Sequence, residues 1–162
     1  MRSFKSLMAV LTMLVLSGVA ASTAHAKSVT LPSGDVRINM PGAIERSTQE
    51  FEYSGGTAST EVYVSNEDGL VWIVMATELP SGSDLGSLSD FATGFAESVG
   101  GEVVRTQSGE FDSGVAFEDA LISDSNGNLF LTRVFMYHNQ LVALGIGGED
   151  LNSHANEIDE FA

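Results

Sequence analysis

Residues Val115–Gly147 read VAFEDALISDSNGNLFLTRVFMYHNQLVALGIG, and this stretch predicts three consecutive antiparallel strands. Two turn signals, Asp124 to Asn128 and His138 to Gln140, divide segments rich in Leu, Val, Ile, Phe and Tyr. In Leu129–Tyr137 the side chains of Phe130, Val134 and Met136 oppose those of Leu131, Phe135 and Tyr137, so both faces are apolar. Leu141–Ile146 has the same character. So does Leu70–Thr77, where Leu70, Trp72, Val74 and Ala76 oppose Val71, Ile73 and Met75. A strand apolar on both sides needs cover on both sides. The expected fold is therefore α+β, a mostly antiparallel sheet of about six to eight strands with a helix on each face, an α-β-α sandwich.

Working outward, Leu88, Phe91, Ala92, Phe95 and Val99 fall at helical spacing. Ser87 can cap that helix, Asp90 lies in its first turn where the helix dipole favours a carboxylate, and Gly100-Gly101 ends it. A second, shorter helix is expected from about Ser153 to Phe161. Glu102 to Ser108 should be a strand leading into the meander. Towards the amino terminus, Lys27 to Gly34 reads as a polar lead, and Val36 to Met40 alternates as a first strand that stops at Pro41-Gly42. Ile44 to Tyr53, with Glu45, Arg46, Glu50 and Glu52, has few apolar residues, so if it is a strand it is a solvated or edge one. Asn66-Glu67-Asp68-Gly69 is a hairpin signal ahead of Leu70.

Met1–Ala26 has the three parts of a secretory signal: Arg2 and Lys5, an apolar run from Leu7, and the small-x-small site Ala24-His25-Ala26. Cleavage is expected after Ala26, leaving 27–162 as one α+β domain in the periplasm or outside the cell. The sequence has no cysteine, which excludes an amino-terminal lipoprotein anchor, disulfides and thiol catalysis. Without Arg2 and Lys5, five basic residues face twenty-two acidic ones, a net charge of −17. Nucleic acid and anionic membrane are disfavoured as partners, since both need clustered Lys and Arg. A cationic partner, bound divalent ions or a saline habitat would each suit this balance.

No catalytic device is visible. His138 and His154 are the two histidines left after cleavage, too few for a histidine-built zinc site, and no serine lies in a G-x-S-x-G elbow. No Gly-rich phosphate loop opens a helix. Asp124, Asn126 and Asn128 offer oxygens at alternate positions, as a calcium loop does. The glycine comes too early, however, and Phe135 stands where a bidentate glutamate is required, so the loop is not an EF-hand. A hairpin turn is the expectation, with calcium the alternative and no other cofactor implied. Glu67-Asp68 and Glu149-Asp150 are discounted alike. Glu118-Asp119 lies within a strand, so one of the two must face inward or reach an edge, and Arg133 on the neighbouring strand is the expected ion-pair partner.

The order of elements is that of a known architecture: an early strand ending in Pro41-Gly42, a hairpin whose second strand reads LVWIVMATELP, a helix ending in Gly100-Gly101, the meander, and a short terminal helix. With Leu79-Pro80, Gly114, Arg133 and Leu141 in place, the chain resembles small exported bacterial domains whose architecture is similar to the extrinsic PsbP-type subunit of photosystem II. The resemblance implies an α-β-α sandwich and a non-enzymatic role, and it lends no catalytic residues. Relatives of that kind continue into a further strand containing Ser-Phe, whereas this sequence stops at Phe161-Ala162. Either a sheet lacking one edge strand or a fragment is expected from that departure.

The functional expectation is an exported, monomeric, non-enzymatic accessory or protein-binding domain of the bacterial envelope. Its contacts are expected at the hairpin turns, through Glu67, Asp68, Asp124, Asn126, Asn128, His138 and Asn139, because loops on a rigid scaffold carry recognition. The alternative is a carrier of a small apolar ligand in a sheet–helix cavity near Trp72 and Phe95. A carboxylate hydrolase would need a cleft with two convergent acids.

Overall fold

Burial on both sides decides the centre of the molecule. In this computed structural model, which describes residues 27–53, 56–80, 86–98, 100–148 and 151, the strand Gln140–Gly148 is buried at every position up to Gly147. In chain order the elements are β1 (Lys27–Thr30), β2 (Arg37–Met40), β3 (Ile44–Tyr53), β4 (Gly56–Glu67), β5 (Leu70–Glu78), α1 (Leu88–Ser98), β6 (Glu102–Glu110), β7 (Ala116–Ser123), β8 (Leu129–Tyr137) and β9 (Gln140–Gly148). Seven strands form one sheet in the order β3-β4-β5-β9-β8-β7-β6, and β1 and β2 form a separate ribbon. Every pairing is antiparallel.

The alternation read from the sequence sorts side chains onto two cores. One face gathers Val62, Val64, Ile73, Met75, Ala120, Ile122, Val134, Leu141 and Ala143 against Ala92, Phe95 and Ala96 of α1. The helix lies across β6, β7 and β8. Its start is fixed reciprocally: the Asp90 amide donates to Ser87 Oγ at 3.1 Å and the Ser87 amide donates to Asp90 Oδ2 at 3.0 Å, which satisfies first-turn donors that the helix itself cannot. At its end the Gly101 and Gly100 amides return to the carbonyls of Ala96 and Glu97, with Gly100 at φ 70°.

The other face gathers Tyr63, Leu70, Trp72, Val74, Ala76, Phe135, Val142, Leu144 and Ile146. A helix was expected there, but the cover among the described residues is the β1–β2 ribbon, which inserts Val29, Leu31, Ile38 and Met40, joined by Leu151. The second helical segment, Ser153–Phe161, lies outside the described residues, as do Glu149-Asp150 and the whole signal segment before Lys27. The polar lead read at Lys27–Gly34 is corrected accordingly. Val29 and Leu31 alternate with exposed neighbours and are buried; the five residues Lys27–Leu31, ended by Pro32, are too short a pattern to stand out from a loop.

Both sheet edges are poor templates for further pairing. β3 is the charged edge expected from its sequence, and β6 is broken by a bulge between Val103 and Arg105, which re-aims the backbone and leaves Val104 55% exposed. Two cross-strand pairs set an aromatic ring against a glycine. A Cβ on Gly147 would stand 2.2 Å from the Phe130 ring, and one on Gly109 would stand 2.3 Å from the Phe117 ring.

Candidate functional site

The register places the hairpin turns relative to one another. Glu67 pairs with Leu70, Leu70 with Gly148, Gly148 with Leu129, and Leu129 with Ser123. The β4–β5 turn and the β7–β8 turn therefore lie at the same end of the sheet, about 14 Å apart at three strand spacings. The β8–β9 turn lies at the opposite end, because Tyr137 pairs with Gln140 and Gln140 with Glu78. Of the residues expected to make contacts, Glu67, Asp68, Asp124, Asn126 and Asn128 are thus brought to one end, and His138 and Asn139 are separated from them.

At the shared end, Asp68 and Gly69 have φ 51° and 80°, the pair of positive angles that a two-residue type I′ turn requires. Asp68 is exposed and Glu67 half-buried. The β7–β8 turn is built around the Asp124 carboxylate. Its Oδ1 accepts the amides of Asn126 and Asn128, each at 2.8 Å, and its Oδ2 accepts the Asn128 side-chain amide at 2.8 Å. The Asn128 side chain first, then the backbone amides, hold the Asp124 carboxyl below its usual range. Both oxygens accept from donors within the turn, an arrangement that orders the loop. Among the described residues no three acidic or histidine side chains converge on a common point.

At the far end, the exposed His138 has φ 51°, and its ring meets Tyr137 edge-on at 4.4 Å. The turn is tied down where the Leu79 amide donates to the Asn139 carbonyl at 2.9 Å.

Glu118 and Asp119 point to opposite faces. Asp119 accepts both the Nε and the Nη2 of Arg133, at 2.7 and 2.8 Å, a bidentate match of planar groups. The same guanidinium sits 3.9 Å from the Phe117 ring centroid and 5.6 Å from that of Phe111. Glu118, 8% exposed, turns to the helix face and accepts the Ser108 hydroxyl at 2.5 Å.

A further polar cluster, not anticipated from the sequence, fastens edge strand β3. Arg46 donates to one Glu61 oxygen and Tyr63 to the other, while the Arg46 guanidinium lies 5.7 Å over the Tyr63 ring. Burial pushes the Glu61 carboxyl up, but the bonds from Tyr63 and Arg46 outweigh it and hold the group below its ordinary value. Burial and then the bond to Glu61 push the Tyr63 phenol up to about 12. The available signal was the i, i+2 spacing of Glu61 and Tyr63 opposite apolar Val62 and Val64; the β3–β4 register that brings Arg46 across was not readable.

The ligand-carrier expectation named a sheet–helix cavity near Trp72 and Phe95. Trp72 and Phe95 lie on opposite faces of the sheet. Between α1 and the sheet, Phe91, Phe95, Ile73, Met75 and Gly145 border a cavity of about 10 Å³, at most the room one water needs.

No family model matches the sequence, and no curated protein matches it. The solution structure of cyanobacterial PsbP (CyanoP) from Synechocystis sp. PCC 6803 is similar, with a TM-score of 0.60 and 13% identity over 91% of this chain and 95% of that one. The fold is PsbP-like. At this identity the likeness speaks for the fold alone. Among the described residues, no helix is long and apolar enough to cross a membrane.

Proposed function

We propose that this chain is an exported, non-enzymatic accessory domain of the bacterial envelope, and that it binds another envelope protein through the end of the sheet formed by the β4–β5 and β7–β8 turns. The observation that carries this reading is the register, which sets Glu67, Asp68 and the Asp124–Asn128 turn at the same end of a sheet whose two faces are occupied by core. A PsbP-like fold supports the accessory role. With a formal net charge of −15 for the full sequence, the fitting partner surface is cationic. The signal-like Met1–Ala26 supports export.

Two measurements test the reading. Amino-terminal sequencing of the exported protein should begin at Lys27; a start at Met1 would remove the export claim. Crosslinking in the periplasm followed by affinity recovery should yield one recurrent partner, lost when Glu67 and Asp68 are replaced by Lys. Recovery undiminished by that charge reversal would overturn the assignment of the surface.

A further inference from the structure

Asn126-Gly127 is the single Asn-Gly pair in the sequence; the other asparagines precede Met40, Glu67, Leu129, Gln140, Ser153 and Glu157. A glycine leaves the following backbone nitrogen unshielded by a side chain. That nitrogen, once deprotonated, can attack the asparagine Cγ. The new C–N bond closes a five-membered imide, and the side-chain nitrogen leaves as ammonia. Water then adds to one imide carbonyl and breaks a ring C–N bond, giving aspartate or isoaspartate. One water is consumed, one ammonia is released and nothing is oxidised.

Asn126 is exposed, so water reaches it freely. The turn nevertheless engages the groups that this reaction needs. The Gly127 amide donates to the Asp124 carbonyl at 3.0 Å, which holds its proton and fixes its direction. The amides of Asn126 and Asn128, on either side, are both clamped to Asp124 Oδ1 at 2.8 Å. The Asp124 amide donates to the Asn128 carbonyl at 2.9 Å and closes the loop. The torsions about Asn126 are therefore pinned on both sides, whereas imide closure requires them to turn.

We infer that Asn126 is the site of spontaneous conversion to aspartate and isoaspartate in this protein, and that Asp124 restrains the conversion in the folded state. Beyond the binding role proposed above, this gives the Asp124 carboxylate a purpose independent of any partner. The product puts a second carboxylate beside Asp124, and isoaspartate also lengthens the backbone inside a hairpin whose register sets β7 against β8.

The test is mass spectrometry of the purified protein held at mildly alkaline pH, with peptide mapping to locate the product. Three samples are compared: native protein, protein unfolded in urea, and native Asp124→Ala. Conversion should map to Asn126, proceed fastest in urea, and run about fivefold or more faster in Asp124→Ala than in the native protein, the factor that one net hydrogen bond represents. Asp124→Asn, which keeps a side-chain oxygen for the two amides, should stay close to the native rate. Equal rates in the native and unfolded protein would overturn the inference whether or not the alanine variant folds. An Asp124→Ala rate no higher than native in a protein of unchanged circular dichroism would overturn it as well, and so would conversion mapping to another asparagine.

Discussion

Tyr63 is a phenol buried against the carboxylate that accepts its proton's hydrogen bond, and this sets its titration. With its pKa pushed up to about 12 against an ordinary value of about 10, the unfolded chain loses the proton first as pH rises. Stability tied to this group is complete below the unfolded value and is lost as pH climbs towards the folded one. Ultraviolet titration of the folded protein should show a late tyrosine ionisation, and Tyr63→Phe should remove that late step. A Tyr63→Phe curve with the late step intact would refute the assignment. Glu61 runs the other way: its carboxyl is held low, so its contribution is present above the unfolded carboxylate range and is lost as pH falls through the folded value. The Asp119–Arg133 pair, 22% and 18% exposed at the side chain, combines a bidentate bond with aromatic contacts and should couple measurably. In a double-mutant cycle with Asp119→Asn and Arg133→Met, a coupling energy of about 1–3 kcal/mol is expected from denaturant melts. A value near zero would show that the pair is decoration on a fold held by its aromatic neighbours.

Elements show how local space determines the sign of a substitution. Gly145 and Gly147 lie two residues apart on β9, and replacement by alanine should act in opposite directions. At Gly145 the nearest atoms to a new Cβ are 3.8 Å or more away, so Gly145→Ala should stabilise by about 0.5–1 kcal/mol through reduced freedom of the unfolded chain. At Gly147 the Cβ would enter the Phe130 ring, and displacing that ring should cost about 1–3 kcal/mol. Thermal melts of both variants check the pair; a shift of the same sign in both would contradict the packing described. Much of this element structure was legible in the sequence. Ser87, Asp90 and Gly100-Gly101 delimit the helix by cap chemistry, and the two apolar faces of Leu70–Thr77 and Leu129–Tyr137 require cover on both sides. The contribution of the β1–β2 ribbon to the second face was not legible, because a helix and a β-ribbon satisfy the same apolar surface equally. Val29 and Leu31 sit in too short an alternation to announce β1. The Arg46–Glu61–Tyr63 cluster escaped for another reason: cross-strand partners depend on register, and β3 carries too few apolar residues to fix a register by pattern.

For the whole molecule, the acidic surface and the closed faces bear on function together. A formal charge of −15 implies self-repulsion that salt screens, so the melting midpoint should rise as NaCl is added; a flat response would count against any saline adaptation. On the binding role proposed above, a cationic partner suits the same charge and meets the sheet at its turn-bearing end. Three turn sites were readable in the sequence, but their grouping was not, since only the strand order reveals that two share an end and the third does not. That grouping is the central claim, and site-specific photocrosslinking in living cells tests it most directly. A photoreactive residue at Asp68 or at Asn126 should give the same single adduct, while one at Thr93, on the exposed flank of α1, should give none. No shared adduct from the two turns, or an equal adduct from Thr93, would contradict the account.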